Sequence, residues 1–357
     1  MSERRLSKNQ KLNGRVRNSF DMKLSGRTTL KTLAKASGVS VATASQVIRG
    51  VGRISEHTRK RVLSTAEKMN YIPDGRAISM RSGERPEIGM IIQELANPFN
   101  AEVVSGVSDY LETYGYFVSV LDSRNDIERQ KRNIEAFIRS ARGGLIWVPA
   151  HSTTSKTAEL LRNHSIPTIT FLRQIKGANF DHIGIKNTEG TEKATDYLIE
   201  LGHTKIAYFG GDLNSDVRQD RAEGYELSLK KHGLDWKVNW TSEDTKQSGV
   251  ERLHDLISAH PDVTALVCNG DMVALGACLA LQSKNLQPGK DISVIGFDNV
   301  MDAKLVTPTL TTMAVNPYHL GQVLAETILK RINETEHPQI TYFNNPELII
   351  RNSAGPA

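Results

Sequence analysis

From residue 87 onward the chain alternates short apolar runs with stretches of helical period, and this alternation leaves few folds open. Residues 88–92, 117–121, 145–148 and 168–171 are apolar runs of strand length. Helical patterns at 98–114 and 127–139, and a third between the last two runs, separate them. The unit then begins again: helix 187–201, strand 206–210, helix 221–232, strand 266–268, helix 271–284, strand 292–297. Residues 318–332 close the pattern as a helix, followed by short strands at 340–343 and 348–350. Strands that lack a polar alternate face are buried on both sides, and helices of this length between them act as crossovers. The pattern therefore predicts parallel sheets flanked by helices. Two successive sets predict two lobes of similar build. Ligands of open α/β sheets bind beyond the carboxyl ends of the strands, so two lobes can hold one between them.

The first part of the chain is different. Thr29 is placed to cap a helix with Leu30, Leu33 and Ala34 on one face. Gly38 ends that helix, because glycine tolerates the left-handed conformation after a C-cap. Ser40 caps a second helix with Val41, Ala44, Val47 and Ile48 at helical spacing, and Gly50 and Gly52 break it. Ser55 caps a third, with Val62, Leu63, Ala66 and Met69 as its inner face, before Tyr71-Ile72-Pro73 stops it. Helix, tight glycine turn, helix is the helix-turn-helix layout. The expected organisation is a basic tail over 1–27, an all-α head over 28–73 and a short connector over 74–85. Two α/β lobes follow, one from 86–186 with 315–343, the other from 187–314 with 344–357.

Charge separates the same parts. Residues 1–83 hold 18 Lys/Arg against 5 Asp/Glu, whereas residues 84–357 hold 27 against 35, so a +13 head sits on a −8 body and the chain sums to +5. Basic excess confined to one small domain points to a polyanion as its partner, since Lys and Arg neutralise phosphates and release counterions. The two cysteines, Cys268 and Cys278, lie in apolar surroundings and are too few for a disulfide framework. No apolar run is long enough to span a membrane, and no apolar segment follows the basic N-terminal residues, so a cytoplasmic protein is expected.

These features resemble the LacI/GalR family of bacterial transcription regulators. The resemblance is carried by Thr29-Leu30-Lys31-Thr32-Leu33-Ala34, by 36–45 (Ala-Ser-Gly-Val-Ser-Val-Ala-Thr-Ala-Ser) and by Asn70-Tyr71-Ile72-Pro73 in the head. In the body it rests on Asn97-Pro98-Phe99, Leu201-Gly202-His203, Arg221 before Gly224-Tyr225, 291–298 (Asp-Ile-Ser-Val-Ile-Gly-Phe-Asp) and Thr309-Leu310-Thr311-Thr312. Residues 52–55 and the Asn-Pro-Phe loop are further reminiscent of its maltose-regulon-type members.

The resemblance implies that the second helix enters the major groove, with Val41, Ala42 and Gln46 at base-reading positions. Val41 and Ala42 offer apolar contact to a thymine methyl, and Gln46 the donor and acceptor of an adenine pair. Helix packing is the competing reading for Val41 and Ala42. Thr29, Ser40, Thr43, Ser45, Arg49, Arg53 and Tyr71 would contact phosphates or position the helix. Residues 75–81 resemble the family's hinge helix, with Ala77 near the minor-groove floor and Met80 as the wedge. For the body the resemblance implies a small-molecule effector between the lobes, a sugar or related metabolite, on Gln93, Asn97, Phe99, Asn100, Arg221, Asp244, Asn269 and Asp298. Leu172, Gly270 and Val315 are further lining positions where groups usual for a free sugar are replaced. An interlobe salt bridge is the competing reading for Arg221, and a strand-end cap for Asp298.

The implied partners are a pseudo-palindromic duplex operator, the effector and a second copy of the chain; the operator's pseudo-symmetry implies a homodimer, and with no leucine-heptad tail in the sequence a tail-zippered tetramer is not expected. No cofactor or metal is expected. A transport-type solute-binding protein would fit the body but not the head. An enzyme such as a sugar kinase would need chemistry that the motifs do not supply: GxxxxGK[ST], GxSxG and a His/Cys/carboxylate cluster are all missing. Gly210-Gly211-Asp212 reads as a turn and His203 as structural.

Overall fold

The computed structural model describes residues 28–73, 86–140 and 142–357. The expected tail and the whole connector over 74–85, with the hinge positions Ala77 and Met80, lie outside them. The chain divides into two compact units, residues 1–84 and 85–357.

The first unit holds three helices: α1 (Leu30–Ala36), α2 (Val41–Ile48) and α3 (Glu56–Lys68). Each starts at a hydroxyl cap. Thr29 forms a capping box with Thr32, Ser40 Oγ accepts from Thr43 N, and Ser55 Oγ accepts from Thr58 N, which supplies acceptors to otherwise unpaired N–H groups. Gly38 adopts φ +63° between α1 and α2, where a side chain would be strained. Leu33, Val47, Val62 and Ala66 form a small core with Leu30, Ile48, Met69 and Tyr71 packed around it. Leu63, expected on the inner face of α3, is 46 % exposed. It lies one residue past Val62, about 100° around the helix, and is not among the residues packed on the small core.

The second unit contains two six-stranded sheets. The first has β1 (Glu87–Ile92), β2 (Phe117–Asp122), β3 (Gly144–Trp147), β4 (Thr168–Phe171), β5 (Asp181–Ile185) and β11 (Thr341–Asn344) in the order β11-β5-β4-β3-β1-β2, all parallel. The second has β6 (Ile206–Phe209), β7 (Val238–Trp240), β8 (Ala265–Cys268), β9 (Ser293–Asp298), β10 (Thr311–Ala314) and β12 (Glu347–Ile349) in the order β12-β10-β9-β8-β6-β7, with only β12 antiparallel. In the first lobe, α4 (Pro98–Thr113) and α11 (Pro317–Asn333) cover one face, and α5 (Ile127–Arg139) and α6 (Ser155–Asn163) the other. The second lobe is flanked by α7 (Asn187–Glu200), α8 (Asp216–Lys231), α9 (Lys246–Ala259) and α10 (Asp271–Ser283). No helix of the described residues is long and apolar enough to cross a membrane.

The chain passes between the lobes three times: after β5, between β10 and α11, and between β11 and β12. The three passages are joined to one another. Lys186 N donates to Asn344 O at 2.9 Å, and Asn344 Nδ2 donates to Val315 O at 2.9 Å.

Several elements were not legible from apolar pattern. These are β5, β7, β10 and α9. β5 and β10 carry polar side chains inside the sheet, each satisfied by a distant partner. Asp181 takes two 2.8 Å bonds from Arg331 of α11, and His182 Nδ1 pairs with Thr170 Oγ1 at 3.0 Å. Thr312 Oγ1 donates to Asp271 at 2.5 Å. Helix α8 starts at Asp216, five positions before the expected start at 221, because Ser215 Oγ caps it at Arg218 N.

α4 and α11 cross at glycine. A Cβ on Gly106 would stand 2.0 Å from Tyr318 O, and one on Gly321 would stand 2.2 Å from Val103 O. Gly106→Ala should therefore force the helices apart and cost about 1–3 kcal/mol or more. A lowered urea midpoint with an unchanged m-value checks this, and wild-type stability would refute the close crossing.

Candidate functional site

The carboxyl ends of both sheets open into one cleft of about 810 Å³ between the lobes of the second unit. The first lobe supplies Gln93 and Glu94 after β1, Asp122 at the end of β2, His151 after β3, and Leu172 and Arg173 after β4. The second supplies Asp212 after β6, Asp244 after β7, Asn269 after β8, Asp298 at the end of β9, and Arg221 from α8.

Arg221 organises the second wall. It is buried, and its Nη2 stands 3.5 Å from Asp298 Oδ1. Its Nε donates to Asn187 Oδ1 at 2.9 Å, its Nη1 donates to Asn269 O, and its guanidinium lies 3.6 Å from the centre of the Phe297 ring. Charge, two amide acceptors and a π face together hold one orientation. Both carboxyls beside it are desolvated. Burial pushes Asp298 well above the usual carboxylate range, against the lowering effect of Arg221, and Asp271 and Asp244 raise it further. Burial also raises Asp244, which Arg221 and a 2.8 Å bond from Asn269 Nδ2 oppose. Glu94 is raised by burial and then by Asp244, Asp122 and Glu243.

Asp244 Oδ1 and Gln93 Oε1 are buried acceptors with no hydrogen-bond partner among the described residues. A buried polar atom left unpaired is costly, and a ligand donor is one way to satisfy it. The apolar part of the lining includes Leu172 and Phe99, whose ring stacks on Phe171 at 6.2 Å and 9°.

Of the residues expected here, Gln93, Asn97, Phe99, Leu172, Arg221, Asp244, Asn269 and Asp298 line the cleft. Three do not. Asn100 is buried in the first turn of α4 and turns back, donating from Nδ2 to Glu94 O at 2.7 Å, so it shapes the loop instead of facing a ligand. Gly270 stands behind Asp244, where a Cβ would come within 2.6 Å of the carboxylate. Val315 is buried in an interlobe passage. Asp122, Arg124, Asn125, His151, Arg173 and Asp212 line the cleft without having been anticipated. Each lies at or shortly after a strand's carboxyl end, which is the signal that could have found them. Asp212 belongs to the segment read as a simple turn. His203 sits away from the cleft, bonded to Thr264 Oγ1 at 2.9 Å, Gly355 O at 3.0 Å and Ser293 Oγ at 3.1 Å.

The first unit presents a second surface. Val41 is 45 % exposed and Ala42 is exposed, so the first turn of α2 points its apolar side chains outward while Ala44 and Val47 hold the core. Ser40 is exposed and shares its hydroxyl with Thr43 at 2.8 Å. Ser45 and Gln46 are half-buried, Arg49 and Arg53 exposed, and Arg49 Nε donates to Ser45 O at 3.3 Å. Gln46 lies against Gly52, where a Cβ would stand 3.1 Å from its amide carbon. The exposed Thr29 hydroxyl is engaged in its capping box, and Tyr71 packs against the core. Residues 28–73 carry 8 Lys/Arg and 2 Asp/Glu.

Two family models match this chain. One, described as bacterial regulatory proteins of the lacI family, covers residues 29–74; the other, described as periplasmic binding proteins and sugar binding domain of LacI family, covers 85–347. The HTH-type transcriptional repressor PurR of Haemophilus influenzae (strain PittEE) is 32 % identical over 330 residues, spanning 91 % of this chain and 98 % of that one. PurR of Pasteurella multocida (strain Pm70) is 30 % identical over 327 residues, with the same coverage. Among solved structures, a lac repressor dimer bound to operator and the anti-inducer ONPF superposes with a TM-score of 0.82 at 24 % identity, covering 92 % of this chain and 99 % of that one. A CelR–cellobiose complex gives 0.70 at 24 % identity, covering 92 % and 100 %.

Arg221→Met removes the cation that lowers Asp298. The folded-state pKa of Asp298 then rises further above its unfolded value. A carboxyl raised in this way contributes stability at pH below about 4, lost as pH climbs toward the raised value. The stability gap between wild type and variant should therefore widen as pH rises past the raised wild-type value of Asp298, measured by denaturant midpoints. A gap independent of pH would show that the pair carries no electrostatic role.

Proposed function

The chain belongs to the LacI family of bacterial regulatory proteins, and on that premise we propose that it is a cytoplasmic, homodimeric transcriptional repressor that binds a pseudo-palindromic operator and responds to a small polar effector held between its lobes. The observation that carries this reading is the exposed first turn of α2, where Val41 and Ala42 stand outside the core on a helix already capped by Ser40. Burying that turn against base edges desolvates two apolar side chains, and a thymine methyl is the partner that suits them. Gln46 follows on the same helix, and the basic excess of the unit supplies phosphate contacts that set position without reading sequence. A homodimer gives the two-fold arrangement that an operator of this kind requires. That the relatives above are named repressors supports the sign of regulation.

The effector reading rests on the cleft. Its buried acceptors, Asp244 Oδ1 and Gln93 Oε1, suit hydroxyl or amine donors of a sugar or related metabolite. The ligand acts by binding one lobe arrangement better than another, and shifts the equilibrium only by that difference. The lobe arrangement then governs operator grip through residues 74–85.

A chain lacking residues 1–85 should keep its fold and its ligand affinity while losing all DNA affinity. Gln46→Ala should cost specific operator binding about 1–3 kcal/mol and leave non-specific binding nearly unchanged. Fluorescence anisotropy on selected and scrambled duplexes at one salt concentration reads both effects. DNA affinity retained by the truncated chain, or equal losses on both duplexes, would overturn the reading.

A further inference from the structure

Beside the main cleft lies a second cavity of about 530 Å³, lined by residues 149, 150, 152–155 and 173–176 of the first lobe and by Asn214, Asp216 and Gln219 of the second. Arg173 borders both cavities. Its side chain is 7 % exposed, and two of its nitrogens are committed: Nη1 donates to Asn125 Oδ1 at 2.7 Å and to Pro149 O at 2.9 Å, and Nη2 stands 3.4 Å from His151 Nε2. Its Nε has no acceptor among the described residues. Among the described residues no carboxylate lies at ion-pair distance from it; Asp216 and Asp212 act on it only across space. Burial pulls its pKa down to about 10, yet the guanidinium still carries its charge at neutral pH. A buried cation without a counter-ion is costly, and the usual resolutions are a pair or an anionic ligand.

The surroundings favour the ligand. Arg173 faces His151 Nε2 with a donor, so the neutral ring carries its proton on Nδ1, and that N–H has no partner either. Burial and the nearby Arg173 both lower the His151 pKa, which keeps this ring neutral. Helix α6 begins at the same cavity. Its N-cap Thr154 makes no side-chain capping bond; its carbonyl takes the Thr157 N–H at 3.1 Å, and the N–H groups of Ser155 and Lys156 are left without a side-chain cap. The hydroxyls of Ser152 and Ser155 and the exposed Lys176 complete the rim. The loop that carries these groups is fixed in place by buried Gln130, whose Oε1 accepts from Trp147 Nε1 at 2.9 Å and Ala150 N at 2.6 Å. Uncapped helix N–H groups, an unpaired guanidinium and a second cation are the donor set of an oxyanion site.

We propose that this second cavity is an oxyanion subsite that takes a phosphate or carboxylate group, continuous through Arg173 with the main cleft that holds the uncharged body of the effector. The inference rests on the reading of the cleft as the effector site. It narrows the ligand from any sugar-like metabolite to one carrying an anionic group, with its hydroxyl or amine donors toward Asp244 and the anion toward α6. The one carboxylate on the rim, Asp216, comes from the opposite lobe and disfavours approach from that side.

The test uses the full chain and four probes: inorganic phosphate, glucose 6-phosphate, glucuronate and neutral glucose. Binding is read by thermal shift and calorimetry at low ionic strength. Inorganic phosphate and at least one of the two charged sugars should bind more tightly than glucose. Preference for glucose 6-phosphate over glucuronate would assign the group as phosphate, and the reverse as carboxylate. Arg173→Gln and, as a surface change that leaves the core alone, Lys176→Glu should each weaken the charged probes about tenfold or more, and Lys176→Glu should do so without moving glucose. The absence of any anion binding, or anion affinities unchanged in Lys176→Glu and Arg173→Gln, would overturn the subsite. Operator binding measured in parallel without ligand separates the two failures: its loss in the wild-type chain would remove the regulator reading itself, whereas its persistence confines the failure to the subsite.

Discussion

Two parallel sheets can share a ligand only while their carboxyl ends stay opposed, and in this chain that rests on three interlobe passages held together through Asn344. Its carbonyl accepts from Lys186 and its amide donates to Val315, so each passage is tied to another. Because the chain changes lobe three times, neither lobe is continuous in sequence, and the lobes cannot separate as beads on a string. What is left to them is rotation about the passages. Hinges of this kind need only a few residues to absorb a change in φ and ψ. Asn316, left-handed at φ +49° at the start of α11, is one such residue.

The cleft that results has two different walls. The second lobe presents the unpaired Asp244 Oδ1 beside the fixed guanidinium of Arg221, an acceptor aimed at a ligand donor. The first lobe presents Arg124, Arg173 and His151 near its rim. A ligand with donors at one end and an anion at the other would bridge them, and one bridging both walls stabilises whichever lobe arrangement brings them to the right separation. That differential is the only thermodynamic means by which a small molecule can act on a distant DNA-binding unit.

Local sequence determined much of this. Helix starts at Thr29, Ser40 and Ser55 were legible because a hydroxyl before an apolar period is a local signal, and the βα alternation was legible because burial on both faces leaves no polar alternate. The family motifs placed Arg221, Asp244, Asn269 and Asp298 together, although 77 positions separate Arg221 from Asp298. The limits were equally physical. β5 and β10 hide their identity behind Asp181, His182, Thr311 and Thr312, polar residues that become sheet interior only once Arg331, Thr170, the Arg351 backbone and Asp271 are there to pair with them.

By itself the sequence determined the elements, the two-part organisation and the kind of partner each part suits, since period, capping and charge depend on neighbours a few residues away. Only the tertiary structure decided which polar side chains face the cleft. It turned Asn100 back to the Glu94 carbonyl, buried Val315 in an interlobe passage, and left Arg173 with Asn125 and His151 for neighbours and no carboxylate among the described residues to neutralise it. The energy of a buried charge depends on what surrounds it in space, and those surroundings come from strand ends far apart in the chain.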